Sequence, residues 1–143
     1  MAKIILATIA LLVPASVAEA TITTEKLVKN AAGNPWRCDF DHDGQYGPKQ
    51  NRCVVRVVFR RNPAAAAQAE RIVGCESQWD EKAKNRSSTA SGLAQFLRST
   101  WASNKYGRHN VFHPVWNILG MRELWLSAGK TWRPWSCARI VGV

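Results

Sequence analysis

Glu76 is the residue in this sequence best placed to do chemistry. It lies at the end of an Ala-rich stretch, in the string Cys75-Glu76-Ser77. A carboxyl at a helix C-terminus meets the negative end of the helix macrodipole, and apolar neighbours such as Val73 or Trp79 would desolvate it. Both effects favour the protonated form, which a general acid working near neutral pH requires. A second group, Asp39, Asp41 and Asp43, alternates along the chain just before Gly44, as an oxygen-ligand calcium loop begins. The twelfth position of that loop is Gln50 rather than a bidentate Glu, so the trio is a weak calcium candidate and no cofactor is expected. Seven tryptophans invite sugar stacking. Trp101 and Trp125 read as core, whereas Trp79, Trp132 and Trp135 read as groove residues.

These groups need a scaffold, and the sequence predicts a mainly α one. Asn62 can cap a helix and Pro63 suits its first position; residues 64–73 are strong helix formers ending at Gly74. Cys75 and Glu76 then fall at its C-terminal end. Ser, Thr and Asn break the pattern over 85–92, a short helix is expected near 99–105, and Tyr106-Gly107 reads as a turn. A further helix is expected over 114–128, closed by Gly129, with Ile118, Met121 and Trp125 on one stripe. Asn117 shares a face with Gly120, Met121 and Leu124 and should point inward. Residues 21–62 differ in character: a short helix over 24–32, a turn at Asn34-Pro35, and a β-branched run at 54–59 that reads as a strand. The domain division expected is therefore 1–20, 21–62 and 63–143.

Residues 1–20 read as a secretory leader, with Lys3, an apolar run over 4–13, Pro14, and a small-residue end at Ala18-Glu19-Ala20. Cleavage is expected after Ala20. The apolar run is too short for a lasting anchor, since a spanning helix needs about 20 residues. Removing the leader takes away Lys3 and Glu19 together, so the net charge stays at +10 and favours a polyanionic partner. Hydrophobic residues at 46% and charged residues at 21% exclude both a disordered chain and a polytopic membrane protein. Export makes Cys38, Cys53, Cys75 and Cys137 candidates for two disulfides. Cys38 and Cys53 bracket a Gly- and Pro-containing loop, which leaves Cys75 with Cys137. A zinc site with His42, His109 or His113 lacks any tight paired spacing.

Beyond Cys75-Glu76-Ser77, the chain carries Ser91-Gly92-Leu93-Ala94-Gln95-Phe96, Ser99-Thr100-Trp101, Pro114-Val115-Trp116-Asn117-Ile118 and Trp132-Arg133-Pro134-Trp135-Ser136-Cys137. In this order the strings resemble the lysozyme-like domain of soluble lytic transglycosylases, in the compact form similar to resuscitation-promoting factors. The resemblance spans residues 64–137. It implies a lysozyme-like fold with Glu76 as the single catalytic acid, Ser77 holding its carboxylate, and Gln95 and Asn117 contacting substrate. Thr89, Arg98 and His113 depart from the family's usual Gly, Pro and Asp, and the family's Ala-Tyr-Asn-Ala-Gly segment is missing.

The activity implied is cleavage of the β-1,4 bond between N-acetylmuramic acid and N-acetylglucosamine in peptidoglycan by an exported monomer in the bacterial envelope. Ordinary hydrolysis needs a second carboxylate. After Glu76 come only Asp80, Glu81 and Glu123, and the first two are better suited to capping a turn. The implied outcome is a 1,6-anhydro product, with lysozyme-type hydrolysis as the near alternative. A wall-binding or virion structural protein is a rival from another class. A basic, Trp-rich nucleic-acid or membrane-active protein is another, but nucleic acid is not the expected partner; glycan strands and anionic wall polymers are.

Overall fold

The computed structural model describes residues 33–143, so the leader and the helix expected over 24–32 lie outside the described residues. The described chain is mainly helical and contains no strand; Ser91 makes isolated bridges to Lys84 and Phe96. A 3-10 turn at Pro35–Cys38, with the Asn34 side chain accepting from Trp36 N–H, leads to α1 (Pro48–Val58). Then come α2 (Pro63–Ser77), α3 (Arg98–Ser103), α4 (Pro114–Ser127) and α5 (Ser136–Ile140). No helix among the described residues is long and apolar enough to cross a membrane.

The strand expected over 54–59 is corrected: these residues complete α1 and its cap. Pro48 occupies the first turn, and the Gln50 side chain accepts the Gly47 N–H at 2.7 Å, a helix start that the β-branched run overshadowed. A strand would send alternate valines to opposite faces. As a helix, α1 buries Val54, Val55, Val57 and Val58 and leaves only Arg56 of this run to reach out, where it pairs with Glu70. Burial of each valine, about 1.5 kcal/mol or more, outweighs its helix-propensity cost of a few tenths. The Cys38–Cys53 disulfide fixes this helix to the preceding turn.

α1 packs against that turn, α2 and α4, while α2 also packs against α5. Val54, Val55, Ile72, Val73, Leu93, Val115, Ile118 and Met121 are fully enclosed in one core. The expected division at 62/63 falls in the short turn between α1 and α2, and the helices on both sides share this core. Asn62 caps α2 as expected, its side chain accepting the Ala65 N–H at 3.0 Å. The helix runs three residues beyond Gly74 and stops where Gln78 and Trp79 turn left-handed, so Cys75 and Glu76 occupy its last turn.

Ile118, Met121 and Trp125 form the buried stripe of α4. Gly120 admits the Trp101 ring so closely that a Cβ there would lie 2.7 Å from Cζ3. His113, at the N-terminus of α4, is half-buried among Trp36 and Tyr46. Burial pushes its imidazole below the ordinary 6.5, against its backbone hydrogen bond and the Asp39 charge, with His109 adding to the decrease. The folded chain therefore binds the His113 proton less tightly than the unfolded chain, which takes it up below about pH 6.5. Stability should be full above that pH and fall as acid is added toward the lowered value. Urea titrations at several pH values should show this slope in the parent protein and a shallower one in His113→Gln.

Candidate functional site

The expected Cys75–Cys137 disulfide is present and joins α2 to α5 across 62 residues of sequence. It brings two donors to Glu76: the Cys137 backbone N–H at 3.0 Å and the Ser136 hydroxyl at 3.3 Å, both to Oε1. The first turn of a helix has backbone donors without intrahelical partners, and α5 has no side-chain cap of its own at Trp135. Glu76 satisfies one of these donors. Among the described residues, the Cys137 N–H and the Ser136 hydroxyl both go to Oε1 and no donor is found on Oε2.

Ser77 is a correction to the expected site. Its hydroxyl is buried and donates to the Val73 carbonyl at 3.1 Å, one turn back in its own helix, so Ser136 and Cys137 hold the carboxylate instead. The signal for Ser136 was its position beside the second cysteine of a long disulfide. The expected apolar enclosure by Trp79 is also replaced. Its indole Nε1 lies near Gly74, and its ring sits beneath the Arg52 guanidinium at 4.8 Å, while Glu76 stays half-buried among polar donors.

Trp79, Trp132 and Trp135 are buried, each less than a tenth exposed, so they cannot offer open ring faces to a sugar. Their polar edges organise the site. The Trp135 indole donates to the Ala94 carbonyl at 3.1 Å and that of Trp132 to Gln68 Oε1 at 2.8 Å. Trp132 also stacks on Trp125, extending an aromatic core through Phe59. Trp36 is the exposed tryptophan, its ring set edge-on against Trp116, and neither was singled out from the sequence.

Asn117 is wholly buried and clamps two loops rather than facing a cleft. Its Oδ1 accepts the Ala94 N–H at 2.8 Å and its Nδ2 donates to the Val111 carbonyl at 2.7 Å. Gly92 is left-handed (φ 77°), and a Cβ there would lie 2.4 Å from Asn117 Nδ2. Gln95, also left-handed, is half-buried and donates its side-chain amide to the Ala83 and Gly92 carbonyls. Residues 92–95 are thus held by Asn117 on one side and Trp135 on the other. Asn117→Leu strands the Ala94 N–H and Val111 C=O, at about 1–3 kcal/mol each, and is expected to lower stability by about 3 kcal/mol in denaturant titration. Gly92→Ala should cost about 2 kcal/mol or more, since it meets both the wrong backbone hand and an occupied space.

Asp80 accepts the Lys82 N–H as a local turn cap, and Glu81 accepts from Asn51, so both have structural partners in place of Glu76. Carboxylate oxygens of Asp39, Asp41 and Asp43 lie within 4.8 Å of one another. Asp39 also accepts the Gly44 N–H, Asp43 the Gln45 N–H, and Asp41 the Gln50 amide at 3.0 Å. An amide donor therefore stands where a calcium loop needs a closing carboxylate. Calorimetry should detect calcium affinity no tighter than about 0.1 mM; sub-micromolar binding would overturn this assignment.

No protein family, curated protein or solved structure matches this chain.

Proposed function

We propose that this chain cleaves peptidoglycan glycan strands as a lytic transglycosylase of lysozyme-like type, with Glu76 as its acid. The observation that supports this reading is the convergence of the sequence strings: the Glu76 carboxylate joins Ser136 and Cys137, the 92–95 loop joins Asn117 and Trp135, and one disulfide ties the two helix ends together. Four of the five separated strings are so joined, and they form a scaffold around a single carboxyl.

In the proposed reaction, Oε2 delivers its proton to the bridging oxygen as the bond to muramyl C1 breaks. The substrate's own N-acetyl oxygen steadies C1. The resulting carboxylate then takes the proton from the muramyl 6-hydroxyl, whose oxygen closes on C1 and gives the 1,6-anhydro sugar. No second carboxylate is required, in keeping with the local partners of Asp80 and Glu81. The net positive charge would concentrate the protein on anionic wall; raising salt should weaken sedimentation with wall fragments more than it slows cleavage of a short soluble glycan.

Mass spectrometry of purified peptidoglycan incubated with the protein tests the proposal. Released 1,6-anhydro muropeptides are the expected result. Reducing ends would make the reaction hydrolysis, and wall binding without release would make the protein a structural or adhesive component.

A further inference from the structure

A depression of about 360 Å³ opens where the turn between α1 and α2 meets α4, lined among others by Gly33, Arg60, Arg61, Asn62, Leu119 and Arg122. None of the groups that hold Glu76 lines it. Its charge is of one sign: among the described residues no Asp or Glu contributes to the lining, and none of the three arginines forms an ion pair. Arg60 is held in place, since its Nη1 donates to the Val57 carbonyl at 3.3 Å and its Nη2 lies over Gly33, where a Cβ would stand 3.4 Å away. Arg61 is exposed and Arg122 half-buried, and neither donates to an acceptor among the described residues. Like charges gathered around one hollow repel each other, and an anion seated there relieves that repulsion.

We propose that this depression binds the phosphodiester groups of a flexible polyol-phosphate chain, so that a defined site, rather than overall charge, holds the protein on an anionic polymer. The inference does not rest on the reading of Glu76 as an acid. The planar fork of a guanidinium matches two oxygens of one phosphate, and arginine keeps its charge at every physiological pH. What surrounds the arginines narrows the partner. A nucleic acid is gripped by exposed rings on which its bases stack, and the aromatic residues of this lining, Phe59 and Trp125, are buried. A membrane surface is gripped by exposed apolar side chains that enter it, and the exposed large ones, Trp36, Leu97 and Ile140, lie outside the lining. Asn62 gives its oxygen to the Ala65 N–H, which leaves its amide N–H groups to donate to a hydroxyl of the polyol.

Calorimetric titration of the full chain with a synthetic glycerol-phosphate oligomer, at one fixed salt concentration, tests the proposal. Arg60→Ala/Arg61→Ala/Arg122→Ala should weaken binding about tenfold or more, through the loss of charge-assisted hydrogen bonds. Lys49→Ala/Arg86→Ala/Arg108→Ala removes the same charge from exposed positions outside the depression, and should weaken binding no more than about twofold. Equal losses in the two variants would make the attraction diffuse and overturn the proposal. Arg60→Lys/Arg61→Lys/Arg122→Lys keeps the charge without the planar fork and should bind with an affinity between those of the parent and the alanine variant. Circular dichroism should show the same fold in all of them.

Three further probes decide the class of partner. Polyglutamate of equal charge, a single-stranded DNA oligomer and phosphatidylglycerol vesicles should each bind more weakly than the glycerol-phosphate oligomer. Equal or tighter binding of any one, lost in the arginine-to-alanine variant, would make the depression a site for carboxylates, nucleic acid or lipid headgroups and overturn the assignment. The absence of saturable binding of the oligomer overturns it outright. Glu76→Gln should bind the oligomer as the parent does. Binding without cleavage therefore overturns only the enzymatic reading, and cleavage without binding overturns only this one.

Discussion

Glu76→Gln is expected to lower muropeptide release by about 100-fold or more while the folded structure persists. The glutamine side-chain oxygen can still accept from the Cys137 N–H and the Ser136 hydroxyl, so the junction of α2 and α5 survives. What disappears, under the proposed reaction, is the proton that the carboxyl would transfer. The contrast separates two roles of one residue: as a partner for the first turn of α5, Glu76 is replaceable by any acceptor of the same shape; as an acid it is not. Thermal unfolding near the parent midpoint together with lost cleavage supports the catalytic role. Undiminished release by the variant would reduce Glu76 to a capping residue and require another acid.

Opening the Cys75–Cys137 link by Cys75→Ser/Cys137→Ser is expected to cost about 4 kcal/mol of stability, because the crosslink closes a chain segment of 62 residues. The corresponding change at Cys38 and Cys53, 15 residues apart, should cost about 3 kcal/mol. Activity should separate the two more sharply. Only the longer link carries Ser136 and the Cys137 N–H to the Glu76 carboxylate, so its loss should reduce cleavage even at temperatures where the variant remains folded. Denaturant midpoints and muropeptide release, measured on both variants, decide this. Equal loss of activity in the two would show that the longer disulfide contributes stability alone.

Local signals were legible where a residue acts on its own neighbours. Asn62 and Pro63 started α2, the stripe of Ile118, Met121 and Trp125 marked α4, and the cysteine pairs followed from an even count and one loop-forming pair. The valines of α1 misled because β-branched residues suit any buried surface, and only the faces offered by α2 and α4 decided that four of them would be buried together on a helix. Tryptophan was ambiguous for a related reason. Its type allows either sugar stacking or core packing, and Trp79, Trp132 and Trp135 became core once neighbouring elements closed over them.

By itself the sequence determined the helical class, the start of α2, both disulfides and the position of Glu76 in a last helical turn. These depend on capping, periodicity and covalent pairing, which act over short spans or between unique partners. Tertiary structure alone decided that Ser136 and the Cys137 N–H, rather than Ser77, hold the carboxylate, that Asn117 clamps two loops, and that Arg60, Arg61 and Arg122 gather around one depression. Each of these joins groups distant in the chain, and a hydrogen bond or charge cluster of that kind depends on separations of a few ångströms that only packing of the whole core sets.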